Sequence, residues 1–173
     1  QSYLAPLFAL KDFKPNNVIV STMQAVSGAG HASVQSMDMV DNVIPYIKGE
    51  EEKSEKEPLK ILGEITGNEI TYAEQPIISA HCNRVPVVHG HLATISVSFE
   101  KKPTQEQILE AWKNFTSTPQ ELNLPSAPKH TIIYHDEPDR PQTRLDRDAE
   151  KGMAVNVGRL RNCPVLDYRF IGL

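Results

Sequence analysis

Cysteine is scarce in these 173 residues: Cys82 and Cys163 are the only two. Two cysteines make neither a disulfide framework nor a CxxC pattern. The plain reading is two free thiols in a reducing, cytoplasmic setting, with a single bridge between them left open. Aromatic residues make up 6%, too few for a platform that stacks single-stranded bases. No basic stripe stands out and the net charge is −4, which argues against nucleic acid as a partner. No apolar run is long enough to cross a bilayer, so no membrane is expected. The start carries no signal-peptide pattern. Natural termini tend to be polar and loose. Here the chain opens at Gln1 without Met, and apolar residues follow at once; it closes on a strand-like Leu166 to Leu173 with no polar tail. Both ends are therefore expected to be cuts within a larger protein.

What is present suits one well-cored domain, with 39% hydrophobic and 23% charged residues and no internal repeat. Leu4, Leu7, Phe8 and Lys11 fall at helical spacing. Pro6 is tolerable only in a first turn, which predicts a helix start at or before Gln1. Val18 to Met23 is a β-branched run and reads as a buried strand. It leads into Gln24-Ala25-Val26-Ser27-Gly28-Ala29-Gly30-His31. Two glycines there permit close backbone approach to a ligand. The third Gly of a dinucleotide fingerprint is missing, so a plain loop is the simpler reading.

Residues 37 to 48 look like a packed connection. The charge run from Gly49 to Lys56 reads as solvated surface, and a helix is expected to begin near Glu57-Pro58. Ser54-x-x-Glu57 matches a capping box, with Pro58 at the first helical position as the rival start. Glu57 and Lys60 would share one face of that helix, as a surface pair or as an ammonium and a carboxylate offered to a ligand. Gly67-Asn68 is a turn. Pro76 to Ala80 and Leu92 to Phe99 read as strands, the second half-buried. Residues 104 to 115 carry a Thr-x-x-Gln box and the stripe Ile108, Ala111, Trp112, Phe115, which predicts an amphipathic helix on a sheet. Thr131 to Tyr134 is a short strand. In the charged loop from His135 to Asp148 the arginines lie beside Asp139, Asp146 and Asp148, so local ion pairing is expected. Two alternating strands close the chain, broken at Asn162-Cys163-Pro164. Several strands follow one another without intervening helices. The predicted class is α+β: a mixed, largely antiparallel sheet with helices on one face and the other face free for a partner.

The stretch richest in chemistry is Cys82-Asn83-Arg84-Val85-Pro86-Val87-Val88-His89-Gly90-His91. Taken alone it serves equally as two strands joined by a polar turn. With function in view, Arg84 offers a planar fork for a carboxylate, and His91 is a general acid/base. Gln24 could orient a reacting group. Cys82 sits in a strand with nothing to lower its pKa, and Cys163 lies in a remote turn; both read as structural thiols. His89-x-His91 would place two imidazoles on one strand face, yet no further residue at ligand spacing completes a metal site, so no metal is expected.

Leu4-Ala5-Pro6-Leu7, Gln24 to Gly30, Asp41 to Ile47, Glu57-x-x-Lys60-Ile61-Leu62-Gly63, Cys82 to His91 and Gly152 to Arg161 follow one another over nearly the whole chain. In that order the chain resembles the C-terminal catalytic and dimerisation part of the aspartate-semialdehyde dehydrogenase family, of the fungal and archaeal type. The resemblance implies a glyceraldehyde-3-phosphate dehydrogenase-like C-terminal domain over residues 1–173. It implies NADP as cofactor and interconversion of aspartyl phosphate and aspartate semialdehyde. By position it makes His91 the acid/base and Gln24 the orienting amide. Arg84 would bind the substrate carboxylate, Glu57 the amino group and Lys60 the phosphate. Ser27, Gly28, Ala29 and Gly30 would line the nicotinamide. The family's Asn-Cys-Ser/Thr nucleophile and its N-terminal Rossmann-like domain are not in these residues. The chain alone is therefore expected to be inactive and to hold NADP poorly. The resemblance also implies a homodimer through the open sheet face, with room for a tetramer. Two further readings stay open: a stand-alone dimerisation module, and a related N-acetylglutamyl-phosphate reductase domain, whose substrate lacks the free amino group that Glu57 would serve.

Overall fold

The computed structural model describes residues 2–30 and 36–173. Gln1, and His31 at the end of the glycine stretch, lie outside them. In chain order the elements are α1 (Leu4–Phe8), a 3₁₀ turn (Lys11–Phe13), β1 (Pro15–Gln24), a second 3₁₀ turn (Val26–Ala29), α2 (Ser36–Met39) and α3 (Glu50–Ile61). Then come β2 (Glu64–Thr66), β3 (Glu69–Thr71), β4 (Ile77–Arg84), β5 (His91–Phe99), α4 (Gln105–Lys113), α5 (Thr118–Glu121), β6 (Ile132–His135), α6 (Thr143–Asp146), β7 (Val155–Asn162) and β8 (Tyr168–Gly172). Six strands form one sheet in the order β4-β1-β5-β8-β7-β6. The β4–β1 and β7–β6 pairs are parallel and the three between them antiparallel. The class is α+β, with a mixed, largely antiparallel sheet.

Alternation decides which face of the sheet is core. Along β1, Val18, Val20, Thr22 and Gln24 are buried, while Ile19 points outward and is 48% exposed. Ile78, Ala80, Cys82 and Arg84 of β4 and Ala93, Ile95, Val97 and Phe99 of β5 continue the buried face. α4 covers it. Its Thr104–Gln107 capping box forms as expected. Trp112 lies edge-on to Phe170 at 5.0 Å and stacks on Tyr134 at 6.0 Å. Its indole N–H donates to the Pro6 carbonyl at 3.0 Å, which ties α4 to α1.

Five expectations need correction. α1 starts at Leu4, with Pro6 inside its first turn, where a missing N–H costs nothing. Residues 40–48 are not packed: Val40, Val43 and Tyr46 are each more than half exposed. The open face is not wholly open, because residues 136–147 cross it over β7. Gly158 admits the crossing: a Cβ there would lie 2.5 Å from the Arg140 carbonyl oxygen. A small β2–β3 hairpin, exposed along both strands, flanks Gly67 where only a turn was expected.

The fifth concerns α3, which begins at Glu50 rather than near Pro58, so the charge run is helix and not loop. β4 is an edge strand, and an unpaired edge must be covered or blunted. Glu51 Oε1 accepts from the Cys82 N–H and Glu55 Oε1 from the Ala80 N–H, each at 3.1 Å. Pro58 then sits in the third turn, where it lacks the N–H that would bond the Ser54 carbonyl. The Tyr3 hydroxyl donates to that carbonyl at 2.7 Å and replaces the lost bond. Burial of the phenol pushes its pKa up to about 12.

Candidate active site

The ends of three neighbouring strands carry the site. In the sheet register Gln24 stands opposite Arg84 on one side and His91 on the other. Cross-strand partners project to the same face, so guanidinium, amide and imidazole form one row. Gln24 is 8% exposed and Arg84 6%. Beyond the row the chain continues as two loops bonded to each other. The Ala25 N–H donates to the Gly90 carbonyl and the Val26 N–H to the Val87 carbonyl, at 3.1 and 2.9 Å. On its other flank Arg84 exchanges two backbone hydrogen bonds with Ile44, at 3.0 and 2.8 Å. These bonds hold the row from both sides.

Arg84 Nη1 donates to the Ala25 carbonyl at 2.7 Å. One arm of the fork is thereby fixed, which aims the guanidinium before any ligand arrives. Gly28 lies against it: a Cβ at that position would be 3.2 Å from Nη1. Gln24 Nε2 donates toward Thr22 Oγ1 and Glu50 Oε2, each at 3.4 Å. Glu50 also pairs with Lys53 at 3.4 Å. Gln24, Gly28, Lys48, Glu50 and Arg84 line one cleft of about 480 Å³. His91 lines an adjoining cleft of about 270 Å³ with Ser2 and Arg147. Its Nε2 is buried without a hydrogen-bond partner among the described residues. Burial lowers its pKa below the ordinary imidazole value, and the Arg84 cation adds to this while Glu50 opposes it. The imidazole is thus held neutral near pH 7, able to accept a proton.

Of the residues expected at the site, the structure brings together Gln24, Arg84, His91, Gly28 and Ala29. Ser27 and Gly30 belong to the same short turn, Ser27 bonded through its N–H to the Val88 carbonyl at 3.3 Å. Glu57 and Lys60 are not there. Both are exposed on α3, about 10 and 15 Å along the helix axis from Glu50. The cleft has Glu50 instead, paired with Lys53 at 3.4 Å in the same Glu-x-x-Lys spacing seven residues earlier. Seven residues are nearly two turns, so both pairs lie on one helix face and spacing alone cannot choose between them. Glu50, Lys53 and Lys48 are the residues that sequence reasoning missed. The overlooked signal was Gly49 in a left-handed conformation just before the helix.

Neither cysteine reaches the row. Cys82 is fully buried, with its Sγ 3.7 Å from Ser54 Oγ. Cys163 lies beyond β7, toward the opposite end of the sheet. His89 lies in the turn before β5 rather than on the strand, so it shares no strand face with His91. Among the described residues no three His, Cys, Asp or Glu are grouped to hold a metal ion, and no helix is long and apolar enough to cross a membrane.

The family model for the semialdehyde dehydrogenase dimerisation domain matches residues 4–171. An aspartate-semialdehyde dehydrogenase of Schizosaccharomyces pombe is 49% identical over 98% of this chain and 49% of its own length. One of Archaeoglobus fulgidus is 47% identical over 88% of this chain and 43% of its own. The Candida albicans aspartate-semialdehyde dehydrogenase, solved with NADP, superposes with a TM-score of 0.89 at 39% identity over 98% of this chain and 48% of that one. The chain spans about half the length of the relatives it matches.

Proposed function

Because the chain belongs to the semialdehyde dehydrogenase dimerisation-domain family, we propose that it supplies the substrate-binding and proton-transfer part of a cytoplasmic NADP-dependent aspartate-semialdehyde dehydrogenase. The observation that carries this reading is the Arg84–Gln24–His91 row with Glu50 bonded to its centre. Arg84 suits an α-carboxylate, which the free arm of its fork can grip. Glu50 suits the α-ammonium in the same cleft, the role expected of Glu57. Lys53, one turn along α3 and paired with Glu50 at 3.4 Å, takes the place expected of Lys60 as an anion ligand. Gln24 orients the reacting carbonyl. His91, neutral and with its Nε2 unpartnered among the described residues, accepts the proton of an attacking thiol and returns it in the reverse direction.

NADP, when bound, supplies or takes up the hydride. The turn of Ser27, Gly28, Ala29 and Gly30 would lie against its nicotinamide. The turn fits a flat ring: Gly28 and Ala29 line the Gln24 cleft, and a Cβ at Gly30 would meet nothing within 4 Å. It offers one short contact surface rather than a dinucleotide cradle, so we expect weak cofactor binding. With no thiol in reach of the row, the 173-residue chain alone is inactive. Thiol-dependent oxidation of aspartate semialdehyde by this chain would refute that.

The binding half is tested by titrating the chain with L-aspartate and with N-acetyl-L-aspartate while following the Gln24 side-chain amide by NMR. L-Aspartate binds better, and Glu50→Gln weakens it about tenfold or more, the value of a charge-assisted hydrogen bond. Equal binding of the acetylated compound would favour an N-acetylglutamyl-phosphate reductase. A second role, association, is supported by Ile19 and Ile77, 48% and 60% exposed on adjacent strands of the uncovered face. A homodimer through that face would bury both, and sedimentation of the chain as a monomer would count against it.

A further inference from the structure

The helix that presents Glu50 is held to the sheet in an unusual way. Its neighbour β4 is an edge strand, and the helix meets it with two carboxylates rather than an apolar stripe. Glu51 Oε1 takes the Cys82 N–H and Glu55 Oε1 the Ala80 N–H, each at 3.1 Å. Residues four apart on a helix are separated by about 6 Å along the axis. Alternate residues of a strand, whose N–H groups share one edge, are about 6.7 Å apart. The two spacings match closely enough for both bonds to form at once. Between these anchors the Ser54 carbonyl accepts the Tyr3 hydroxyl at 2.7 Å, a third point that resists sliding.

We propose that Glu51 and Glu55 are positioning residues that set the axial register of α3, and so choose which Glu-x-x-Lys pair meets Gln24. The proposal rests on the ligand-binding reading above for its functional meaning. Two such pairs exist, Glu50 with Lys53 and Glu57 with Lys60. A shift of seven residues would exchange them with little rotation of the helix. That shift would set Pro58 and Leu62 opposite the Cys82 and Ala80 N–H groups, and neither side chain can accept a hydrogen bond. Shifts by three or four residues offer at most one carboxylate to the two donors. Glu51 and Glu55 are the only acidic residues four apart within Glu50–Ile61. One register satisfies both edge donors, and it puts Glu50 Oε2 3.4 Å from Gln24 Nε2.

The test is hydrogen exchange and side-chain NMR on the chain carrying Glu51→Ala with Glu55→Ala, beside Glu51→Gln with Glu55→Gln. Glutamine keeps an oxygen acceptor, so the second variant separates the bond from the charge. In the alanine variant the Ala80 and Cys82 amides should exchange about tenfold or more faster. The Gln24 side-chain amide resonance should move and L-aspartate affinity should fall. The glutamine variant should restore all three toward the parent. Faster exchange with an unmoved Gln24 resonance and unchanged affinity would overturn the proposal and leave a simple edge cap. If the double alanine variant does not fold, Glu51→Ala beside Glu51→Gln decides in the same way. Should the parent chain fail to bind L-aspartate, the ligand reading falls, while the exchange and Gln24 measurements still judge the register.

Discussion

Asp146 offers the sharpest test of how the His91 side of the site is built. It is 3% exposed. Its carboxylate accepts from Arg140 Nε at 2.8 Å, from Arg140 Nη2, and from the Gln142 N–H at 2.6 Å. Its backbone carbonyl accepts from Asn156 Nδ2 at 3.0 Å, and Asn156 Oδ1 meets His135 Nε2 at 3.0 Å. This network fastens the crossing loop to β7, and the loop delivers Arg147 to the cleft that holds His91. Asp146→Asn keeps the shape but removes the charge, and turns an amide N–H₂ toward guanidinium donors. Bonds to a charged partner are worth about 1.5–3 kcal/mol each. The Arg140 side chain is 25% exposed, so water recovers part of the loss. We therefore expect a cost of about 3 kcal/mol, which in a chain of this length lowers Tm by about 6–12 °C.

Urea denaturation followed by fluorescence is the assay, because the single tryptophan is the core residue Trp112. A double-mutant cycle with Arg140→Gln isolates the pair. Acid should mimic the substitution. The Arg140 partner holds the Asp146 carboxyl below its ordinary range. A depressed folded-state pKa makes the contribution complete above the ordinary carboxyl value of about 3.9, and it is lost as pH falls through the lower folded-state value. The variant and parent stabilities should therefore differ constantly from pH 5 to 8 and converge only in strong acid. A cost under about 1 kcal/mol, or a coupling near zero in the cycle, would refute this account and reduce the loop to a surface ion pair.

Two other outcomes follow from the same physics. Tyr3→Phe leaves the Ser54 carbonyl without its donor and should cost about 1–2 kcal/mol in urea denaturation; in a Pro58→Ala background, where the helix supplies an N–H to that carbonyl, the cost should shrink toward zero. His91, with its pKa lowered by burial, should titrate by NMR below the ordinary value of about 6.5. Because the unfolded chain takes up that proton first, the part of stability due to His91 is intact above about pH 6.5 and falls as pH drops below it. His91→Gln should remove that part of the slope, and an identical slope in the variant would contradict it.

The parts of this fold that could be read from sequence are those whose signal is local. Val18 to Met23 announces a strand because branched side chains alternate between core and surface. Thr104 and Gln107 announce the start of α4 because each satisfies a backbone group three residues away. The row of Arg84, Gln24 and His91 became legible through resemblance, since strand register joins residues that composition cannot join. α3 failed at every step, and for one reason: its partners are remote in sequence. Its carboxylates look solvated because the N–H groups they accept from belong to Ala80 and Cys82. Pro58 looks like a helix start because the hydroxyl that excuses it within the helix belongs to Tyr3, 51 residues before the Ser54 carbonyl it bonds. Once those three non-local bonds are known, the run Glu-Glu-Glu-Lys-Ser-Glu-Lys-Glu-Pro admits one register, with Glu50 at the site and Glu57 about 10 Å away. A charged helix that lies along a sheet edge should thus be read by whether its carboxylates are four apart, matching the strand's donors, and not by the apolar stripe it lacks.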